Sequence, residues 1–111
     1  MNLNNKILSD ITIHMKYAQY ITKLKRRETW KELVTRNKNM HLKHYSNMSI
    51  GIEHAYKFVY DKKILPSMRS MQFGGKPIEI SPNRIYNCAY MPIDHIASFS
   101  ECMFLLFKFI I

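Results

Sequence analysis

ILPSMRSMQFGGKPIEISPNRIYNCAYMP, residues 64–92, is the stretch on which the reading of this chain turns. Pro66, Gly74, Gly75, Pro77 and Pro82 punctuate its short apolar runs. Proline removes an amide donor and glycine frees the backbone, so both interrupt long helices. Loops and short strands are therefore expected here. Ile85 to Met91 is the best strand candidate, and Pro92 would end it.

On the C-terminal side, Ser98 and Glu101 have capping-box spacing and should open a last helix through Cys102 and Leu105. On the N-terminal side, Thr29 and Glu32 have the same spacing. Trp30, Leu33 and Val34 follow on one face, predicting a helix to about Tyr45. A polar break at Ser46 to Ser49 precedes a second amphipathic helix marked by Ile52, Ala55, Tyr56 and Val59. Ile11, Ile13, Met15 and Tyr17 alternate with Thr12, His14 and Lys16, the period of a half-buried strand. A helix is the runner-up there, because the stretch holds no Gly or Pro. Lys23 to Arg27 reads as a connector.

At 111 residues and 47% hydrophobic content the chain suits one domain at most. A domain of that size buries roughly 60 to 70% of its unfolded surface, enough for a modest core. That is too little for a complete large enzyme with its own cofactor pocket. The net charge of +9 points toward phosphates, whether of nucleic acid, an anionic membrane or a nucleotide. The lysines are scattered, however, and only Lys23, Lys25, Arg26 and Arg27 cluster, so a solvated surface accounts for the charge. The two cysteines, Cys88 and Cys102, form no CxxC pair, and the polar opening residues make no secretory signal. A reduced, cytoplasmic setting is expected. The apolar tail from Met103 to Ile111 is interrupted by Lys108 and is too short to span a membrane.

Among residues able to carry chemistry, Cys88 sits in the candidate strand and reads either as a small buried hydrophobe or as a redox thiol facing a cleft. Cys102 fits inert core. His41 and His44 are three apart on a helix, but no further ligands complete a metal site. Gly74 and Gly75 lack the rest of a phosphate-binding loop and read as a turn. Pro66-Ser67-Met68-Arg69 offers a hydroxyl and a guanidinium near a kink, suited to a phosphate or ribose.

The order of these features is similar to the N-terminal part of adenosylcobalamin-dependent, class II ribonucleotide reductases. The resemblance runs through Arg26-Arg27-Glu28-Thr29-Trp30, Thr35-Arg36-Asn37 and Ala55-Tyr56-Lys57-Phe58-Val59-Tyr60. It is most specific from Leu65 to Cys88, notably Leu65-Pro66-Ser67-Met68-Arg69-Ser70-Met71 and Ser81-Pro82-Asn83-Arg84-Ile85-Tyr86-Asn87-Cys88, and continues through Ser98-Phe99-Ser100-Glu101. The resemblance implies an α/β fold, with an N-terminal strand and helical region over residues 1–63. Residues 64–111 would hold the first strands of a ten-stranded α/β barrel, incomplete in this chain. It implies reduction of ribonucleoside triphosphates to deoxyribonucleotides by thiyl-radical chemistry, with Cys88 one of two reducing thiols. Ser67 and Asn87 would join Cys88 in binding substrate. Adenosylcobalamin would be the cofactor, and a thioredoxin-like protein the reductant.

The chain departs from the family at Phe107-Lys108-Phe109-Ile110-Ile111, where relatives continue into a glycine-rich turn. The radical cysteine, the partner of Cys88 and the cobalamin surface are expected in the remainder of the reductase chain, leaving this piece inactive alone. A small basic nucleic-acid-binding protein, using Lys23 to Arg27 and the tyrosines, is the alternative.

Overall fold

The computed structural model describes residues 2–110, with side chains described up to Lys108. Helix α1 (Leu3–Thr12) runs into a π-helical turn over Ile13–Tyr17. The strand expected over residues 11–17 is therefore a helix. Alternation at period two also contains i, i+4 pairs, which share a helix face. Ile13 and Tyr17 are such a pair and both pack against the core, whereas Ile11 and Met15 are exposed.

The connector expected over Lys23 to Arg27 is the turn and second strand of a small antiparallel hairpin, β1 (Tyr20–Ile21) and β2 (Arg26–Arg27), in the register Tyr20↔Arg27 and Ile21↔Arg26. Lys25 takes a left-handed conformation at φ 49° to close it. Helix α2 (Trp30–His44) then begins at the capping box read from the sequence. The Thr29 hydroxyl accepts from Glu32 N, and the Glu32 carboxylate accepts from Thr29 N at 2.8 Å. Arg26 reinforces the cap with two 2.8 Å bonds to the same carboxylate. These bonds, that from Arg26 above all and then that from the Thr29 amide, hold Glu32 well below its ordinary value, at about 2.

A short turn over Ser46–Met48 leads to α3 (Ser49–Tyr60), the second helix expected from the sequence, and it packs on α2. Leu33, Val34, Tyr56, Val59 and Met71 form the core, with Trp30, Ile52 and Tyr60 against it. Leu33 and Val34 have 0% and 1% of their surface exposed, and burying such a side chain contributes about 1.5–3 kcal/mol.

Residues 64–92 overturn the expectation of short strands, and keep irregular backbone over 64–67 and 86–92. They hold α4 (Met68–Phe73), α5 (Lys76–Ile80) and a 3₁₀ turn over Pro82–Ile85. The residues read as helix breakers serve as helix boundaries. Ser67 caps α4, Gly74 and Gly75 separate α4 from α5, and Pro77 lies in the first turn of α5, where no amide donor is needed. Gly75 has φ +95°, which favours glycine.

The strand expected over Ile85 to Met91 does not form, and among the described residues the β1–β2 pair is the whole of the sheet structure. The α/β barrel assignment is corrected accordingly: this is a small helical fold carrying one short hairpin. A strand exists only through a partner that takes up its amides and carbonyls. The last helix, α6 (Ala97–Ile110), starts two residues earlier than a Ser98 cap requires. Ser98 is fully buried within the first turn. Its amide donates to His95 Nδ1 at 3.1 Å, so the imidazole takes the capping role expected of the serine.

Candidate functional site

The two helices α2 and α4 are joined by a buried polar network built from Glu28, Arg36, Asn37 and Ser70. Arg36 forks onto Glu28, with Nε 2.9 Å from Oε1 and Nη2 3.0 Å from Oε2. The same guanidinium donates to the carbonyls of Gly74 at 2.6 Å and Met71 at 3.0 Å. Glu28 Oε2 also accepts from Gln19 N at 3.1 Å. A buried ion pair is tolerable only when its remaining donors and acceptors find partners, and here they do. One helical step on, Asn37 Nδ2 donates to both the carbonyl and the hydroxyl of Ser70 at 2.8 Å, and Asn37 Oδ1 accepts from the Tyr56 hydroxyl. Burial raises the Tyr56 phenol from its ordinary value to about 12. Arg36 and Asn37 thus position α4, and α4 in turn braces α5 and the Pro82–Ile85 turn packed on it.

Helix α4 opens at Ser67, whose Oγ accepts from Ser70 N at 3.1 Å. The hydroxyl expected to meet substrate therefore holds a helix cap, although the residue itself is exposed. Two residues on, Arg69 Nε donates to Asn87 Oδ1, and the guanidinium lies 5.6 Å from the centre of the Phe73 ring. That bond ties the Ser67-Met68-Arg69 segment to the residue preceding Cys88, across 18 positions of sequence. Cys88 is exposed and lies in irregular backbone beyond the Pro82–Ile85 turn, so the thiol is accessible but not mounted on a strand. Cys102, expected as inert core, is half-buried on α6. Both cysteines are free.

The basic cluster is partly consumed by the fold. Arg26 holds the Glu32 cap, and Arg27 Nη1 donates to the carbonyls of Ala18 at 3.1 Å and His14 at 3.3 Å. His41 packs near the Tyr56 ring, with 6.2 Å between ring centres, and burial followed by the nearby His44 lowers its pKa. His44 and Lys43 instead face Glu79 of α5, at 3.9 and 3.0 Å.

Among the described residues no three His, Cys, Asp or Glu side chains gather as metal ligands. A cavity of about 570 Å³ lies among α1, Trp30 and α4, lined by apolar side chains including Leu8, Ile13, Tyr17, Met68 and Met71. Neither Ser67, Asn87 nor Cys88 lines it. Its size is that of a small-molecule site, and nothing in its lining fits the large adenosylcobalamin cofactor. No helix among the described residues is long and apolar enough to cross a membrane.

Sequence reasoning passed over Glu28, Arg36 and Asn37 as individual actors, and also Arg84, whose Nε is buried without a hydrogen-bond partner among the described residues. The signal for the first three was a carboxylate, a guanidinium and an amide near a helix start. Nothing local told which distant carbonyls they would meet. No protein-family model, curated protein or solved structure matches the chain.

Proposed function

We propose that the chain is the N-terminal part of a ribonucleotide reductase acting on ribonucleoside triphosphates, with Cys88 as one of its two reducing thiols. The observation that carries this reading is the Arg69–Asn87 bond, which draws the Ser67 and Cys88 segments together beside an exposed thiol. Two thiols that form a disulfide release two electrons and two protons. In the proposed reaction these reduce the ribose as its 2′ oxygen leaves as water. A thioredoxin-like dithiol then restores the pair by exchange. Adenosylcobalamin would start the chemistry from a surface supplied by other parts of the enzyme.

Two further features favour the reading. Phe99, Met103, Phe104 and Phe107 are all at least half exposed on α6, a patch that the remainder of a reductase would cover. Both cysteines are free, which suits a cytoplasmic setting where thiols stay reduced.

The test is complementation. The chain is combined with a class II reductase polypeptide lacking the matching segment, then assayed with adenosylcobalamin, a ribonucleoside triphosphate and thioredoxin. Deoxyribonucleotide formation that is lost on Cys88→Ser supports the proposal. No product from the reconstituted mixture, or undiminished multiple turnover by Cys88→Ser, refutes it.

A further inference from the structure

We propose that Arg84 and Lys108 form a site for an aromatic phosphate ester, between the Pro82–Ile85 turn and α6. The two cations share a cavity of about 380 Å³ with Ser81, Ile80, Phe104 and Phe107. Its volume is in the range of small-ligand sites, roughly 300–1,000 Å³. Among the described residues no carboxylate lines it. Among the described residues neither Arg84 nor Lys108 makes an ion pair, although ion pairs employ Arg26, Arg36, Lys43, Lys62 and Lys63.

The guanidinium is the more telling group. Arg84 Nε is buried with no hydrogen-bond partner among the described residues, and buried donors in folded proteins are nearly always paired. Arg84 lines the cavity, and among the described residues no hydrogen bond engages its side chain, so the rest of the fork is left to what enters. A planar fork of N–H donors matches the oxygens of a phosphate or carboxylate. The second cation selects between them. A phosphate monoester carries about −1.5 to −2 at neutral pH, which balances two cations, whereas a carboxylate balances one. The Ser81 hydroxyl supplies an uncharged donor on the same wall. Lys108 Nζ stands 5.3 Å from the centre of the Phe104 ring, so an anion drawn to Lys108 brings its own substituent against that aromatic face. Phe104 and Phe107 are 61% and 54% exposed, leaving ring surface for an aromatic group to cover.

The site stands independently of the reductase reading, because it uses neither Ser67, Asn87 nor Cys88. The probe is phenyl phosphate, titrated into the whole chain at low salt and followed by calorimetry and by the arginine Nε–H signals in NMR spectra. Saturable binding is expected, with inorganic phosphate about tenfold weaker for want of ring contacts and benzyl alcohol not binding. Arg84→Gln should weaken phenyl phosphate at least tenfold, roughly the worth of one charge-assisted hydrogen-bonded contact. Lys108→Gln, at an exposed position that should leave folding intact, is expected to weaken it about threefold. Cys88→Ser should leave binding unchanged. No saturable binding of phenyl phosphate, equal affinity in a folded Arg84→Gln variant, or equal affinity in Lys108→Gln would each overturn the proposal.

Discussion

Replacing Asn37 with alanine removes the amide that locks α4 onto α2. Asn37 has no exposed surface, and its partners Ser70 and Tyr56 are each 8% exposed. The change deletes two bonds donated to Ser70 and one accepted from Tyr56. Each such bond contributes about 0.5–1.5 kcal/mol net, and the stranded polar groups resist drying, so a loss of about 3 kcal/mol is expected. Against a total stability of roughly 5–15 kcal/mol for a domain, that is a large share. It corresponds to a fall in melting temperature of about 10–20 °C. Trp30, the single tryptophan, packs at the core edge and donates to the Tyr60 carbonyl at 3.1 Å, so its fluorescence reports unfolding by heat or urea. Tyr56→Phe alone should cost about 1 kcal/mol, and the double variant should cost less than the sum of the singles, because the lost bond is shared. A fall in melting temperature below about 4 °C for Asn37→Ala, or strict additivity with Tyr56→Phe, would show that the network does not hold α4.

Gly74→Ala should destabilise by about 1–3 kcal/mol when unfolded by urea and followed by the same fluorescence. A Cβ there would stand 2.6 Å from the Ser70 carbonyl oxygen and 3.0 Å from Asn37 Nδ2. An unchanged midpoint would mean that α4 shifts freely. Because the folded pKa of Glu32 is depressed from 4.5 to about 2, its contribution is fully present above pH 4.5 and fades as pH falls toward 2. Glu32→Gln should therefore flatten the urea midpoint against pH across that window, and parallel curves for the two proteins would count against the cap. Under native conditions a thiol reagent should modify exposed Cys88 faster than half-buried Cys102, and Cys88→Ser should remove the fast phase. Equal rates, or a fast phase surviving in Cys88→Ser, would contradict that exposure.

The helices were legible where their ends are made locally. Thr29 and Glu32 lie three residues apart and complete each other's hydrogen bonds without help from the rest of the chain. The polar break at Ser46 to Ser49 likewise appears as a turn between two amphipathic helices. Where the reading failed, a local pattern had two physical meanings. Alternation over residues 11–17 contains the helical pair Ile13 and Tyr17, and proline marks helix starts as well as helix ends. The stretch around Cys88 has the composition of a strand, yet strand formation depends on a second strand. At the candidate site, Ser67, Asn87 and Cys88 were named from sequence, but the Arg69 bond that connects their two segments was not.

By itself the amino-acid order determined the Thr29 cap, the α2–α3 pair and the residues eligible for chemistry, because those depend on neighbours within a helical turn or two. Only the tertiary structure decided that residues 68–85 hold short helices, that Cys88 is exposed on irregular backbone, and that Arg36 and Asn37 hold α4 in place. Buried polar groups and strand edges are satisfied by partners far away in the sequence or not at all. Which distant carbonyl faces which amide is settled only when the core packs.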